Sequence, residues 1–257
     1  MKTIVYQSYR THDVPAWMTR CMASVRAWSG AQRYEYRFVD DSLFDYVPDW
    51  YRRGAGDNIQ VVSNLARLLV AKELLAAGYE RTLWMDADIL VFDEDAFRID
   101  VASDFAFCHE VWITSHWGSL IKQSGVNNSV SVFIRGNSFL DFCIWAHKDL
   151  VRRGTKILAH GTSTRLLTAL HQGIPLPLLT NVGVLSPVVA RDVRDGANRI
   201  AKKYAAMHGA PIQAMNLGGS LCGKPFDGRV LANADFDAIV DAIAHTRGAM
   251  FRSDSLE

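Results

Sequence analysis

The chain has 257 residues, with 28 Lys and Arg against 27 Asp and Glu, so its net charge of +1 creates no field that draws in a nucleic acid backbone. At 49% hydrophobic and 21% charged residues, the composition is that of a packed globular protein and excludes a disordered or fibrous chain. No stretch reaches the roughly 18 consecutive apolar residues of a membrane span.

Met1-Lys2-Thr3-Ile4-Val5-Tyr6-Gln7-Ser8 turns polar too early for a signal-peptide core, and the four cysteines (Cys21, Cys108, Cys143, Cys222) form no C-x-x-C pair. Both features point to a reducing, cytoplasmic setting, with peripheral membrane contact left open. The terminal Leu256-Glu257 reads as a cloning remnant and is set aside.

The apolar run Thr3 to Tyr6 predicts a buried first strand, and Pro15 to Trp28 a helix. Tyr34 to Val39 suits a second strand closed by the turn Asp40-Asp41-Ser42. From Ile59 to Ala77, apolar residues at Val62, Leu65, Ala66, Leu69, Val70 and Ala77 follow helical spacing, with Ser63 capping an early turn and Gly78 ending the run. Next, Asp86-Ala87-Asp88 interrupts the apolar stretch between Arg81 and Phe92.

Strands are expected at Asp104 to His109 and Val130 to Arg135, with helices at Phe139 to Arg152, Thr162 to His171, Asp192 to Met207 and Asp235 to Thr246. Gly218 to Gly223 reads as a mobile loop. With no repeat, low-complexity tract or linker, the pattern predicts one α/β domain with a mixed central sheet flanked by helices and a helix-rich C-terminal part.

In an extended segment residues i and i+2 face the same side, so Asp86 and Asp88 can present two carboxylates to one cation. Carboxylate oxygens suit Mg²⁺ or Mn²⁺, which commonly take one or two carboxylates together with substrate phosphates. Asp93-Glu94-Asp95 and Asp235-Phe236-Asp237 share the spacing, but only Asp86 and Asp88 end a strongly apolar strand, where open α/β sheets bind ligands. The competing reading is a turn whose acids face water. The eight histidines form no H-E-x-x-H pattern, and neither G-x-S-x-G nor a Walker loop is present.

Four stretches give the chain a family likeness: Thr3-Ile4-Val5-Tyr6-Gln7-Ser8-Tyr9, Tyr34-Glu35-Tyr36-Arg37-Phe38-Val39-Asp40-Asp41, Ser63-Asn64-Leu65-Ala66-Arg67 and Trp84-Met85-Asp86-Ala87-Asp88. In this order the sequence resembles the GT-A fold nucleotide-sugar glycosyltransferases with an Asp-x-Asp motif, the sugar-binding family that includes Golgi initiating mannosyltransferases and bacterial capsule and O-antigen transferases. The likeness covers about the first 95 residues. Beyond them it thins to Asn127-Asn128 and the stretch Gly161 to Leu170. Departures are Asn64 in place of a common Asp, Ala76-Ala77-Gly78-Tyr79-Glu80 in place of Gly-Gly-Ile-Tyr, and Asn216-Leu217-Gly218-Gly219-Ser220 where a His-containing motif is usual.

The resemblance implies a nucleotide-binding half, residues 1 to 95, and an acceptor-binding half with a C-terminal lid, residues 96 to 257. It also implies Mn²⁺ or Mg²⁺ on Asp86 and Asp88, with Asn216 or His208 as a third ligand. The UDP- or GDP-sugar is expected against Gln7, Ser8, Tyr9, Asn64, Arg67, Asp86, Ala87 and Asp88. Arg67 offers a fork for phosphate or a sugar hydroxyl, or else an ion pair on a helix surface, and Lys224 is either a group that reaches the diphosphate when its loop closes or an ordinary surface lysine. Glu110 is the candidate base. A saccharide or glycolipid acceptor is expected near Trp112, His116, Trp117, Asn127 and Asn128.

Two rivals stand beside this reading. One is a haloacid-dehalogenase-like phosphatase, in which an apolar strand also precedes Asp-x-Asp and the first Asp is a nucleophile. The other is a non-catalytic relative that binds sugar nucleotides.

Overall fold

The computed structural model describes residues 1–56, 58–154 and 163–252. The chain opens with β1 (Thr3–Ser8), α1 (Ala16–Ala31) and β2 (Glu35–Val39), followed by α2 (Asp49–Ala55), α3 (Ile59–Ala76), β3 (Arg81–Met85) and β4 (Ile89–Val91). A long hairpin follows, β5 (Phe105–His116) and β6 (Ser119–Ile134), then α4 (Ser138–Arg152), α5 (Thr164–Gly173), β7 (Leu178–Leu179) and β8 (Val182–Val184). The remainder is α6 (Pro187–Arg194), α7 (Arg199–His208), β9 (Ala214–Asn216), the small hairpin β10 (Pro225–Phe226) and β11 (Arg229–Val230), and α8 (Asn233–His245).

The main sheet has the order β2-β1-β3-β6-β5-β7. Its first three strands are parallel, β6 is antiparallel to both β3 and β5, and β7 runs parallel to β5. This is the mixed, helix-flanked α/β sheet that the sequence pattern predicts. Alternation along the strands splits the core between two faces. Tyr6 and Trp84 pack with α3 and α4 on one side, while Val5, Leu83 and Met85 pack on the other with Val25 and Trp28 of α1.

A second sheet, β4-β9-β8, carries a third cluster in which Trp17, Met18 and Leu90 meet α6, α7 and α8. Antiparallel pairing sets Ile89 of β4 opposite Asn216 of β9, which brings the late segment to the acidic turn.

Three expectations are corrected. Asn58, not Ser63, caps α3, its side chain accepting from the Val61 N–H at 3.4 Å. The helix expected from Asp192 to Met207 is two helices, because Gly196 and Asn198 take positive φ of 73° and 55° and Asp192 Oδ2 accepts from the Ile200 and Ala201 N–H groups at the start of α7. Residues 110 to 128 are not a loop between short strands: they extend β5 and β6 into an arm that turns at Trp117 and Gly118, both at positive φ as a two-residue hairpin turn demands. Gly161, Thr162 and the Leu256-Glu257 pair lie outside the described residues.

Candidate active site

Asp86-Ala87-Asp88 forms a tight turn between β3 and β4, closed by Ile89 N–H donating to the Asp86 carbonyl at 3.1 Å. The two carboxylates therefore come together through a turn and not through the extended segment expected from their spacing. The turn is held from several directions. Asp86 N–H donates to Ser129 O at 2.7 Å, and Leu217 N–H donates to Asp88 O at 3.1 Å. Beneath it, Gln7 donates from Nε2 to the Asp86 carbonyl at 3.1 Å and accepts from Tyr36 Oη at 3.0 Å.

Each carboxylate has its own partners. Asp86 Oδ1 accepts from Trp84 Nε1 at 2.6 Å and from Arg67 Nη1 at 3.0 Å. Arg67 is buried; the same Nη1 donates to Asn128 O at 3.1 Å, Nη2 donates to Asn64 Oδ1, and the guanidinium lies 5.2 Å from the Trp84 ring centre. Asp88 accepts on Oδ1 from Asn216 Nδ2 at 2.9 Å and on Oδ2 from the Gly219 N–H at 2.6 Å. Only glycine fits at 219: a Cβ there would lie 2.8 Å from the Trp17 ring and 3.1 Å from Asp88 Oδ2.

Burial pushes the Asp88 carboxyl up to about 7, and the neighbouring Asp86 charge adds to the rise while the Gly219 N–H opposes it. Asp86 is raised by burial too, against the pull of Arg67 and the Trp84 hydrogen bond. The pair nevertheless reaches solvent, since the Asp86 side chain keeps 30% exposure at the floor of a pocket. That pocket measures about 680 Å³, within the range of small-molecule sites.

The pocket brings together Ser8, Tyr9, Asn64, Arg67, Asp86, Ala87, Asp88, Asn127, Asn128 and Asn216 from the residues singled out in the sequence. It follows the carboxyl edge of β1, β2 and β3 to the start of α3 and to Asn127 and Asn128 of β6. There β6 bulges: Phe107 pairs with Ser131 but Cys108 with Asn127, and such bulges re-aim side chains.

Other expected residues lie elsewhere. Gln7 is buried and acts from below the turn. Glu110, raised by burial, reaches the pocket only through Asn127, whose Nδ2 donates to it at 2.8 Å. Trp112, His116 and Trp117 belong to the hairpin arm, with Trp117 93% exposed at its tip. Lys224 is exposed just before β10 and does not line the pocket. His208 is buried against His109 and Tyr204, with Nε2 2.7 Å from Thr180 O, away from the acidic pair.

Trp84 and Gly219 join the site as partners of the acids, and Arg10, His12, Gln60, Ser163 and Thr164 as further lining. Trp84 was readable, because residues two apart on a strand share a face. Gly219 was not, since 131 positions separate it from Asp88.

Two carboxylates form a hard oxygen set that fits Mg²⁺ or Mn²⁺ better than zinc. The Asp86 oxygen Oδ2 accepts no hydrogen bond from the described residues, and each Asp88 oxygen accepts one, so lone pairs remain for a cation. Among the described residues no cluster of three His, Cys, Asp or Glu side chains is placed to hold a metal. A cation here would take much of its shell from a ligand. Asn216 points its amide nitrogen at Asp88 and accepts from the Gly218 N–H at 2.9 Å, which makes it a partner of the carboxylate.

No family model matches the chain, and a search of curated proteins found no match. Among solved structures, it is similar to a glycosyltransferase involved in the glycosylation of the major capsid of PBCV-1. The two share 10% identity over 94% of this chain and 100% of that one, with a TM-score of 0.50. The fold is shared with that glycosyltransferase. A197 from STIV aligns at 12% identity over 67% of this chain and 78% of that one, and its TM-score of 0.33 is too low to argue from. No helix among the described residues is long and apolar enough to cross a membrane.

Proposed function

We propose that the protein is a metal-dependent glycosyltransferase moving a sugar from a UDP- or GDP-sugar to a hydroxyl of a saccharide or glycolipid, in the synthesis of a bacterial surface polysaccharide or glycoconjugate. The observation that carries this reading is the pair Asp86 and Asp88, held side by side on the floor of a ligand-sized pocket at the carboxyl edge of a parallel sheet segment. The likeness of the whole fold to a glycosyltransferase supports it.

A bound Mn²⁺ or Mg²⁺ supplies positive charge beside the diphosphate as the bond to the anomeric carbon breaks. Asp86 and Asp88 are the residues that hold it. Arg67 pins Asp86 so that one oxygen stays turned from the ion pair, and Gly219 with Asn216 orients Asp88. Ser8 and Tyr9 offer backbone and an aromatic face to the nucleotide, with Arg10 adding a positive charge and His12 an imidazole to the pocket lining. Asn127 and Asn128 supply amides for sugar hydroxyls, Asn127 being oriented by Glu110. Glu110 therefore acts on the acceptor side through Asn127 and not as the base.

In the phosphatase reading the free Oδ2 of Asp86 would be the nucleophile, so the two readings part at the product: inorganic phosphate from a phosphoester in one, UDP or GDP from a nucleotide sugar in the other. The test is a panel of UDP- and GDP-sugars with and without Mn²⁺. Metal-dependent release of UDP or GDP is expected; cleavage of a generic phosphoester without nucleotide-sugar turnover contradicts the proposal, and donor binding without turnover leaves the non-catalytic relative.

A further inference from the structure

Arg67 ties three parts of the pocket together, because its terminal nitrogens reach Asp86, the Asn128 carbonyl and Asn64. Its third nitrogen, Nε, is buried, and its N–H has no partner among the described residues. A buried unmet donor costs on the order of 1–3 kcal/mol, so such groups are normally satisfied by protein or by an internal water.

His147 on α4 has the complementary defect. It is buried, its Nδ1 lies 2.7 Å from the Cys143 carbonyl one helical turn earlier, and its Nε2 has no partner among the described residues. A carbonyl only accepts, so Nδ1 carries the proton and Nε2 presents a bare lone pair. One orphan is a donor and the other an acceptor.

The packing puts them at one level. β3 and β6 are antiparallel, α3 leads into β3, and α4 follows β6, so α3 and α4 run antiparallel on the same face of the sheet. Lys72 Nζ of α3 and Asp141 Oδ1 of α4 meet at 2.6 Å, which brings these two positions alongside each other. From that contact, Arg67 lies five residues back along α3 and His147 six residues onward along α4, about 7.5 Å and 9 Å in the same direction at 1.5 Å per residue. The Arg67 charge also acts on His147, reinforcing the fall to about 4 that burial imposes on the imidazole. His147 therefore stays neutral, and remains an acceptor, throughout the physiological range.

We infer that His147 is a positioning residue for Arg67, its Nε2 accepting from one internal water that in turn accepts from the Arg67 Nε–H. A water with these two partners satisfies both orphans at once. The bridge adds a fourth anchor to the guanidinium from behind, which fixes the rotamer that faces Asp86. Its meaning for turnover rests on the glycosyltransferase reading, whereas the hydrogen-bonded bridge does not.

The experiment is nitrogen-15 NMR of the whole chain, with the Arg67 Nε–H resonance assigned by its loss in Arg67→Lys. In the wild type that proton is expected to exchange slowly, and His147 to show a protonated Nδ1 with a hydrogen-bonded Nε2 from pH 5.5 to 8. His147→Leu is expected to speed exchange of the Arg67 proton at least about tenfold, and His147→Gln, whose amide oxygen reaches the Nε2 position, to restore protection. With a donor that is turned over, His147→Leu lowers kcat several-fold at nearly constant KM, and His147→Gln recovers it. If His147→Leu fails to fold, the wild-type and His147→Gln spectra decide. A protonated Nε2 in the wild type, or rapid exchange of the Arg67 proton there, overturns the inference. So does an unchanged exchange rate in a folded His147→Leu. Absence of any nucleotide-sugar binding together with a protected Arg67 proton contradicts the enzymatic reading alone.

Discussion

The acidic turn and the tip of the β5–β6 arm both carry residues that the sequence marks as functional, and the fold treats them in opposite ways. Asp86 and Asp88 are gripped by Arg67 of α3, by Trp84 at the end of β3, and by Asn216 and Gly219 of the late segment, three separate parts of the chain. His116 and Trp117 stand in solvent, far along a two-stranded ribbon from Asn127, where β6 lines the pocket. Side-chain chemistry becomes a site only where independent segments converge on it and hold it. His116 and Trp117 lack that convergence.

The largest effect expected from this contrast is at the turn. Asp88→Asn removes a charge from the pair and is expected to lower metal-dependent turnover of a nucleotide sugar at least about a hundredfold, with an unchanged circular dichroism spectrum. Turnover like that of the wild type would show that the turn is merely a solvated bend. Next is Gly219→Ala, which forces a methyl group to within 2.8 Å of the Trp17 ring and 3.1 Å of Asp88 Oδ2. It is expected to cost about 1–3 kcal/mol by chemical denaturation and to weaken Mn²⁺ binding, and an unperturbed affinity would separate the loop from the site.

A smaller and graded effect is expected with pH. Because the Asp88 carboxyl is raised to about 7, it binds a proton below that value and must release it to receive a cation. Mn²⁺ affinity should therefore fall about tenfold for each unit below pH 7 and level off above it, with calorimetry in two buffers reporting close to one proton released at pH 6. Flat affinity from pH 6 to pH 8 would mean that the pair does not bind the ion. The smallest effect belongs to the arm: Trp117→Ser is expected to change stability by less than about 0.5 kcal/mol and turnover by less than about twofold. A large loss of acceptor transfer there would return the tip to the acceptor site.

The first 95 residues were legible because their signals are local. Strand, helix and strand alternate in short units, and the acidic pair lies within a single turn of chain. Even so, the extended geometry assumed for Asp86 and Asp88 was incorrect, since a hydrogen bond from Ile89 to Asp86 closes a turn that still sets the carboxylates together. The arm was not legible. Val111, Trp112 and Ile113 followed by His116 and Trp117 carry no turn dipeptide of the usual Asn-Gly kind, and the hairpin places Trp117 at φ 49°, a conformation that nothing in its side chain predicts. Asn216 shows the other limit. Its proximity to the pair was suspected from its place in the motif order, but its amide nitrogen facing Asp88 follows from the pairing of β4 with β9, a long-range contact without a local signal.

Anomalous diffraction at the manganese edge, from crystals soaked with Mn²⁺ and UDP or GDP, is the most direct measurement. The expected result is a single strong peak within coordination distance of both Asp86 and Asp88, with the diphosphate on its open side and loss of the peak in Asp88→Asn. A diphosphate in the pocket with no manganese beside these two side chains, or manganese bound only elsewhere, would contradict the account.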